Sequence, residues 1–384
     1  MRDQDYETLK AEWQKEWNEK GEKYAKAVND MVAFAELHGW DAYKGEDAVD
    51  EREGVTQLCE AVFELLKEAN ERGETAKFRA DFPPSNVIFD KKLRKKLRDI
   101  DQICPLGGEN VLFIASNDDG KSGGELVARF SHELEIIYDE AEILPFNDGK
   151  KVLLTAHDGI FLISQSGAKL IHPIYEDEGD DDDELEIDMA NATLSNDNEL
   201  IVAGEQDSDH VLMDSEGERL GCIGAQSSYP HFCLFSADDT QLITNSCHFY
   251  NGVTIGVDRA LLKRGLEVEA YSYDEEGEKN FTLIDDAMRV YAGVATRDFY
   301  ILGDAYGYIK AVGKDGRKIW RHYLGGTIKS MALSDDGSVL FVGTYGGRLH
   351  KLRLGAGQDS HTIGNGNHKE EFRLIAYEDK IYRW

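Results

Sequence analysis

The C-terminal two thirds of the chain repeat one pattern of apolar and polar positions. Each copy is a short apolar strand, a turn rich in Asp, Asn, Ser and Gly, and a second apolar strand. The turns of four copies start at Asn147, Ser195, Ser236 and Ser334, with intervals of 48, 41 and 98 residues, the last about two repeats long. Repeats of ~40–50 residues made of short strands are typical of a β-propeller. The pattern therefore predicts a mainly β protein of the β-propeller class.

The number of blades follows from where this alternation begins and ends. Strand-type alternation starts near residue 100, and a first blade would include residues 111–116 and 126–131. Five further groups of strands begin near residues 143, 192, 231, 290 and 328, and the group that begins near residue 231 is expected to finish with a fourth strand near residues 268–273. The tail, residues 372–384, predicts one more hairpin, which residues 86–89 would complete, because a closed ring has no exposed strand edges. The sequence thus favours seven blades, with six as the alternative.

Two amphipathic helices precede the strands. Apolar residues recur at helical spacing from Tyr6 to Leu37, and His38-Gly39 gives a stop signal. A second helix fits residues 54–72 and ends at Gly73. Two such helices bury little surface alone, so we expect them to pair and to dock on the strands through a stripe that includes Trp13 and Trp17.

The domain boundary follows from a break in the helical pattern. Phe82-Pro83-Pro84-Ser85 is incompatible with a continuing helix. We therefore expect a small N-terminal α-helical domain in residues 1–82 and the β-propeller in residues 83–384.

One repeat also carries a family resemblance. In the stretch Gly307–Trp320, Ala311, Gly316 and Trp320 fall at the spacing of the repeat of quinoprotein-type (PQQ-like) propellers, which this stretch resembles. The Ser-Asp-Asp-Gly turn at residues 334–337 equally resembles tryptophan-aspartate (WD) repeat propellers. The resemblance covers about 50 of 384 residues. It implies the propeller fold and a Trp320 packed between blades, and it says little about function, because one fold hosts many functions.

The net charge of the chain limits the classes of partner that it can bind. The net charge is −31, of which the first 100 residues account for −5, so residues 101–384 carry −26. Such a surface repels nucleic acid and anionic lipid, because binding to either requires Lys and Arg. It attracts a basic partner and speeds their encounter. We therefore expect a basic protein as partner and neither nucleic acid nor membrane, although acidity that serves only solubility is the alternative.

The densest acidic segment covers residues 176–188, where ten of thirteen residues are acidic. Repulsion between like charges predicts a solvated loop that stays extended until a cation or a basic protein meets it. The segment lacks the alternating Asp pattern of a calcium loop, which leaves a plain solvated loop or a contact with a basic protein as the main interpretations. The tentative partner-binding residues are Glu176, Asp177, Glu178, Asp180, Asp181, Asp182, Asp183 and Glu184.

Motifs for catalysis or cofactor binding are missing from the sequence. HExxH and GxGxxG before a helix do not occur. The run Gly120-Lys121-Ser122-Gly123-Gly124, whose letters fit GxSxG, looks like a hairpin turn, and it lacks the phosphate-loop glycine, since position 115 is Ala115. The five cysteines are scattered and show no CxxC spacing, which predicts reduced thiols. No apolar leader is present, and no apolar run approaches the ~18–20 residues of a membrane span. We expect a cytoplasmic protein without cofactor, metal site or catalytic residues.

These observations favour a non-catalytic protein-binding module. Its most concrete form is a stoichiometric inhibitor or an immunity protein that captures a basic toxin or nuclease through an acidic surface. The competing class is a propeller enzyme, either a quinoprotein-like dehydrogenase or a hydrolase. The sequence leaves the partner, the binding face and the oligomeric state open.

Overall fold

A computed structural model describes residues 3–84, 89–116, 126–131, 134–138, 142–174, 187–249, 251–262, 267–268 and 280–384. The chain divides into two compact units. Unit 1 comprises Met1–Asp118, Tyr306–Ile309 and Trp320–Trp384, and unit 2 comprises Asp119–Ala305 and Lys310–Ile319. The predicted boundary between residues 82 and 83 falls inside unit 1.

The helices lie mainly in the first hundred residues. They are α1 (Asp3–Lys15), a π-helical segment (Glu16–Gly21), α2 (Glu22–His38), a 3-10 turn (Trp40–Ala42), α3 (Glu53–Arg72), α4 (Thr75–Asp81), α5 (Lys91–Arg94) and, later in the chain, α6 (Arg259–Leu262). Both predicted stops are confirmed. Gly39 follows α2, and Gly73 ends α3 at φ +70°, where its N–H donates to the carbonyls of Ala69 and Asn70.

The strands occupy most of the remaining chain. They are β1 (Asp99–Gly107), β2 (Asn110–Ser116), β3 (Leu126–Ser131), β4 (Leu134–Tyr138), β5 (Glu142–Pro145), β6 (Lys151–Ala156), β7 (Gly159–Ser164), β8 (Gly167–His172), β9 (Asn191–Leu194), β10 (Leu200–Gly204), β11 (His210–Asp214), β12 (Arg219–Ile223), β13 (Tyr229–Phe235), β14 (Gln241–His248), β15 (Asn251–Asp258), β16 (Glu267–Val268), β17 (Thr282–Asp285), β18 (Val290–Ala295), β19 (Phe299–Asp304), β20 (Tyr308–Gly313), β21 (Lys318–Tyr323), β22 (Ile328–Leu333), β23 (Val339–Thr344), β24 (Arg348–Leu354), β25 (His368–Tyr377) and β26 (Lys380–Arg383).

Within the described ranges these strands form five sheets of four or five strands. Their orders are β5-β6-β7-β8 (blade 1), β9-β10-β11-β12 with β16 beside β12 (blade 2), β13-β14-β15-β17 (blade 3), β18-β19-β20-β21 (blade 4) and β22-β23-β24-β25-β26 (blade 5). Consecutive four-stranded sheets of this kind are the blades of a β-propeller. The predicted fold class, a mainly β propeller with an N-terminal helical segment, is therefore confirmed.

The predicted count of seven blades, or six as the alternative, is wrong, because the described residues form five. Residues 111–116 and 126–131 were predicted to share a blade, but they lie in separate two-stranded sheets, β1-β2 and β3-β4. The tail hairpin, residues 372–384, does not start a new blade, because β25 pairs with the edge strand β24 of blade 5. Of the segment 86–89 predicted to complete that hairpin, residues 86–88 lie outside the described residues.

One strand of the repeat pattern was also placed wrongly. Residues 268–273 were predicted to be the fourth strand of the blade that begins near residue 231. The described part of this segment, in β16, pairs in parallel with β12 of the preceding blade. The fourth strand of blade 3 is β17, which pairs with β15.

The helices of unit 1 pack on the last sheet through an aromatic cluster, which confirms the predicted docking. Trp13 of α1 is 1% exposed, and its ring lies 5.7 Å from the ring of Trp384, the last residue of the chain. The indole N–H of Trp384 donates to the carbonyl of Phe82 at 2.8 Å. Phe63 of α3 and Tyr377 of β25 belong to the same buried cluster.

Trp320 behaves only partly as the resemblance implies. Its ring contacts His368 of blade 5 edge-to-face, with ring centroids 4.1 Å apart, so it does pack against the neighbouring sheet. However, Trp320 is half-buried, not enclosed between sheets.

The repeated turn has one hydrogen-bond arrangement. The hydroxyl of Ser195 donates to Asp197 at 2.8 Å and accepts the N–H of Leu200 at 3.0 Å. Ser236 and Ser334 make the same pair of bonds, to the Asp two residues on and from the amide five residues on. The serine thus supplies an acceptor for an amide at the start of the next strand. This requirement explains why serine and aspartate recur at these intervals.

The same turns connect neighbouring blades in unit 2. The N–H of Asn147, in the turn between β5 and β6, donates to Asn198 Oδ1 at 2.6 Å. The N–H groups of Asn196 and Asp197 donate to the two oxygens of Asp239 at 2.9 and 3.0 Å. The first turns of blades 1, 2 and 3 therefore lie side by side at one end of their sheets.

Removal of the turn hydroxyl is expected to destabilise the fold. In the Ser195→Ala variant the N–H of Leu200 loses its acceptor in a buried position, which should lower the free energy of unfolding by about 1–3 kcal/mol. Ser236→Ala should have a similar effect. The exposed Ser166 provides the control, and Ser166→Ala should change stability by less than about 0.5 kcal/mol. Equal melting temperatures for Ser195→Ala and Ser166→Ala would contradict this role of the turn serine.

The C-terminal tryptophan is expected to hold the helices on blade 5. Trp384 is 2% exposed, so Trp384→Ala should cost about 3–5 kcal/mol in thermal or denaturant unfolding. Trp40 is 60% exposed, and Trp40→Ala should change the same measurement by less than about 0.5 kcal/mol. A Trp384→Ala variant as stable as the Trp40→Ala variant would show that this cluster does not carry the docking.

Candidate functional site

The predicted partner-binding residues Glu176, Asp177, Glu178, Asp180, Asp181, Asp182, Asp183 and Glu184 all lie outside the described residues. The description resumes at Ile187, which is buried, with 7% exposure. The N–H of Ile187 donates to the carbonyl of His157 at 2.7 Å, and the carbonyl of Asp188 accepts the N–H of Gln206 at 2.9 Å. The C-terminal end of the acidic segment is therefore bonded to two turns, the one between β6 and β7 and the one between β10 and β11.

These contacts bring three short segments of unit 2 together: residues 157–158, 187–191 and 205–209, here called the acidic end. They carry five carboxylates and contain neither Lys nor Arg. The carboxylates are those of Asp158, Asp188, Glu205, Asp207 and Asp209. Asp188 and Asp207 are exposed to solvent. Besides Asp188, which ends the acidic segment of the sequence, the two turns bonded to this part of the chain are acidic as well.

Hydrogen bonds within the turn at residues 205–209 set which carboxylates face outward. Glu205 is 5% exposed, and its side chain accepts the N–H of Asp207 at 2.7 Å. The hydroxyl of Ser208 donates to the carbonyl of Asp209 at 2.9 Å, and Asp209 accepts the N–H of Ala225 at 3.3 Å. The carboxylate of Glu205 is therefore used within the turn, whereas the side chain of Asp207 is exposed to solvent.

Two buried histidines lie beneath the acidic end. His172 bonds to the hydroxyl of Ser208 at 3.1 Å, and His210 bonds to Asn191 at 3.0 Å. Burial lowers the pKa of His172 to about 4, and burial together with the neighbouring His172 and His231 lowers the pKa of His210 to about 3. Both rings are neutral at pH 7 and therefore leave the negative charge of the carboxylates uncompensated.

Arg289 is a basic residue that reaches this region. A guanidinium nitrogen lies 3.8 Å from the sulfur of Met189. The same side chain donates to the carbonyl of Phe249 at 2.6 Å and lies over the ring of Tyr291, 4.9 Å from its centroid. Arg289 also donates to Nε2 of His231 at 3.1 and 3.2 Å. Its contacts are thus with a thioether, a carbonyl, an imidazole and an aromatic ring, at the border of the acidic end.

The opposite end of the sheets in unit 2, here called the paired end, contains the turns between β5 and β6, β9 and β10, β11 and β12, and β13 and β14. Arg259 pairs with Asp239 at 3.1 Å and also with Asp197. Lys169 pairs with Glu218 at 2.7 Å, and Lys151 pairs with Glu216. The hydrogen bond from Lys314 holds the pKa of Asp238 well below its usual range. Five carboxylates at the paired end therefore have Lys or Arg partners within the molecule, whereas the segments of the acidic end contain neither residue type.

The described residues contain no metal site of the usual kind, because no group of three or more of their His, Cys, Asp or Glu side chains is placed to hold a metal ion. No described helix combines the length and the apolar character that crossing a membrane requires. The five cysteines are free thiols, and burial raises the pKa of Cys59 to about 12, which disfavours its reactive thiolate form.

Comparison with known proteins finds one distant structural likeness to report. No family model and no curated protein matches the sequence. Among solved structures, the chain is similar to the β-propeller domain of Cps50 (Swd1) from Myceliophteria thermophila, with a TM-score of 0.42 and 11% identity over 63% of this chain and 81% of that chain. A likeness this distant says nothing about function. The resemblance to quinoprotein-type repeats finds no support in these comparisons and stays a prediction.

Of the carboxylates at the acidic end, only Asp188 lies in the acidic segment that stands out in the sequence, residues 176–188. The other four lie in second turns of blades, and singly such turn residues look like ordinary loop residues. The order of the turns along the sequence could have been used to find them, because the second turns of consecutive blades lie at the same end of neighbouring sheets. The turns 157–158 and 205–209 could have been grouped on that ground.

The buried histidines predict a loss of stability in acid. The folded-state pKa values of His172 and His210 lie near 4 and 3, below the value of about 6.5 in the unfolded chain. Between these limits the unfolded state binds more protons, so their contribution is complete above about pH 6.5 and is lost as the pH falls towards 4. The slope is at most about 1.4 kcal/mol per pH unit for each histidine.

The measurement compares melting temperatures at pH 7.5 and pH 5.0. The drop between the two values should be smaller in His210→Gln than in the wild type. His38→Gln changes an exposed histidine and should leave the drop unchanged. An identical drop in all three proteins would contradict the assignment of His210 as a neutral buried ring.

Proposed function

We propose that the protein is a non-catalytic binding module that captures a basic protein at the acidic end of unit 2. The observation that carries this proposal is the contrast between the two ends of the same sheets. Five carboxylates at the paired end have Lys or Arg partners, whereas the segments of the acidic end contain no Lys or Arg. A partner with Lys and Arg side chains would supply the missing countercharges.

The physical effect of such a surface is mainly on association. Clustered charge of one sign raises the association rate of an oppositely charged partner by about 10–10³-fold, and salt screens the effect. Once the surfaces meet, exposed carboxylates such as those of Asp188 and Asp207 can accept charge-assisted hydrogen bonds from guanidinium and ammonium groups. Residues 176–186, which connect directly to the acidic end, add nine further acidic side chains.

The more specific form of the proposal is a stoichiometric inhibitor or immunity protein. A nuclease needs Lys and Arg to bind the phosphates of its substrate, so its substrate-binding surface is basic. A protein that covers this surface with carboxylates would exclude the nucleic acid. The partner class is therefore a basic toxin or nuclease, bound in a one-to-one complex in the cytoplasm.

The test compares equal changes of charge at the two ends. The partner is first isolated from the native cell with the wild-type chain. Asp188→Asn combined with Asp207→Asn should lower its association rate by about threefold to tenfold at low ionic strength and flatten the salt dependence. Neutralising Asp180, Asp181, Asp182, Asp183 and Glu184 should have the same effect. The matched control, Glu216→Gln with Glu218→Gln, removes two charges at the paired end and should leave the rate nearly unchanged.

Two outcomes would contradict the proposal. If the acidic-end and paired-end variants slow association equally, only net charge matters and the acidic end is not the interface. If neither variant changes the rate or its salt dependence, the partner binds elsewhere on the chain. The inhibitor form is tested separately, because a nuclease partner should lose its activity at one equivalent of the protein.

A further inference from the structure

Unit 1 contains a cleft that the proposed function does not use. It lies between the π-helical segment, the chain at residues 359–363 and the strands β21 and β25, and its volume is about 50 Å³. At about 10–15 Å³ for each water, this volume holds three to five waters or one group of similar size. Its walls include Trp17, Arg79, His322, His361, His368 and Arg373.

The polar layer beside the cleft has more positive than negative charge. Glu370 accepts hydrogen bonds from Arg373 at 2.7 Å and from Arg79 at 3.3 Å. Arg348 lies on the same face of β24 and β25 with 7% exposure, and its Nε and one terminal nitrogen have no partner in the described residues. Burial lowers the pKa of Arg348 to about 10, so it remains charged at pH 7. Three guanidinium groups therefore lie around the carboxylate of Glu370, and the main-chain oxygen of Trp384 is a further acceptor for Arg79, at 2.8 Å.

The charges at the mouth of the cleft do not cancel this excess. Arg52 forms an ion pair with Asp50 at 2.6 Å, which leaves that pair neutral. Asp359 lines the cleft but is exposed, so water screens its charge. A cation is disfavoured in such a site, and an anion would relieve the repulsion among the buried guanidinium groups.

Histidines in the cleft wall offer unused hydrogen-bonding groups. His322 is 7% exposed, and its Nδ1 has no hydrogen-bond partner in the described part of the chain. His368 is 5% exposed, and neither of its ring nitrogens has a hydrogen-bond partner there. Burial lowers the pKa of His322 to about 3 and of His368 to about 4. Each ring is then neutral and carries one N–H that can donate to a ligand. Buried polar groups without partners are rare in folded proteins, and these point to a missing acceptor.

The backbone beside the cleft is also unusual. The π-helical segment interrupts the helix predicted from Tyr6 to Leu37, and its residues Trp17 and Gly21 line the cleft. Single π-helical turns inside α-helices occur frequently at functional sites. Gly21 lies against two side chains of the cleft, because a Cβ at this position would be in ordinary contact with Arg52 at 3.4 Å and with the His361 ring nitrogen at 3.6 Å.

We propose that this cleft binds a small oxyanion, the phosphate or carboxylate group of a small molecule. The N–H groups of His322 and His368 donate to its oxygens, and the guanidinium groups of Arg79, Arg348 and Arg373 supply the attractive field. The site is independent of the acidic end, because it uses the opposite charge and residues of unit 1 alone.

The test uses calorimetric titration of the full chain at constant ionic strength, with inorganic phosphate, sulfate and acetate as probes. Saturable one-to-one binding of a probe supports the site, and the preferred probe distinguishes tetrahedral oxyanions from carboxylates. In His322→Gln and His368→Gln the dissociation constant should rise by about tenfold or more, because the glutamine amide, although it carries N–H groups, cannot place one at the position of the imidazole Nδ1. His38→Gln, an exposed change in the same unit, should bind like the wild type.

Protection against heat gives a second readout that does not depend on the heat of binding. The preferred anion should raise the melting temperature of the wild type and of His38→Gln more than chloride at equal ionic strength, and it should raise that of His322→Gln less. If no probe binds the wild type saturably, the proposal is wrong. Binding that is equal in the wild type and in both cleft variants would place the anion elsewhere and would also overturn it.

Discussion

The paired hydrogen bonds of the turn serine are the interaction on which the rest of the structure depends. In the three copies that start with Ser195, Ser236 and Ser334, the hydroxyl bonds to a backbone amide and an aspartate at once, which fixes where one strand ends and the next begins. Because the strands of a blade are antiparallel, first turns lie at one end of the sheets and second turns at the other. Residues that alternate along the sequence are thereby separated in space. The paired end and the acidic end are consequences of this separation.

Signals that act over a few residues made much of the fold predictable. Pairings between distant parts of the chain were not predictable in this way. Turn serines and apolar alternation predicted most strands of the five blades, and Gly39 and Gly73 predicted two helix ends, because these effects act within a few residues. The blade count failed since a hairpin does not encode which edge it joins, as the pairing of β25 with β24 shows. The cleft could not be predicted from the sequence either, because His322 and His368 are far from Arg79 in the sequence. Only the packing of the helices on blade 5 brings these residues together.

The two candidate sites differ in the sign and the burial of their charges. At the acidic end of unit 2, the carboxylates of Asp188 and Asp207 are exposed, so their field extends into solvent and acts on the approach of a partner. In the cleft of unit 1, the charges of Arg348 and Arg373 are buried, so they act at short range on a ligand already in place. A large basic protein suits the first arrangement and a small anion suits the second. The strongly negative net charge therefore does not exclude an anion site, since burial separates it from the acidic surface.

The central claim is that a basic protein binds at the acidic end. Hydrogen–deuterium exchange of the chain, alone and in complex with the partner from the native cell, tests it most directly, because it reports protection segment by segment. The account predicts slower exchange in residues 187–191 and 205–209 when the partner is bound, and unchanged exchange in the paired-end turns at residues 195–199 and 236–240. Protection confined to those paired-end turns or to the helices of unit 1, with residues 187–191 and 205–209 unaffected, would contradict it.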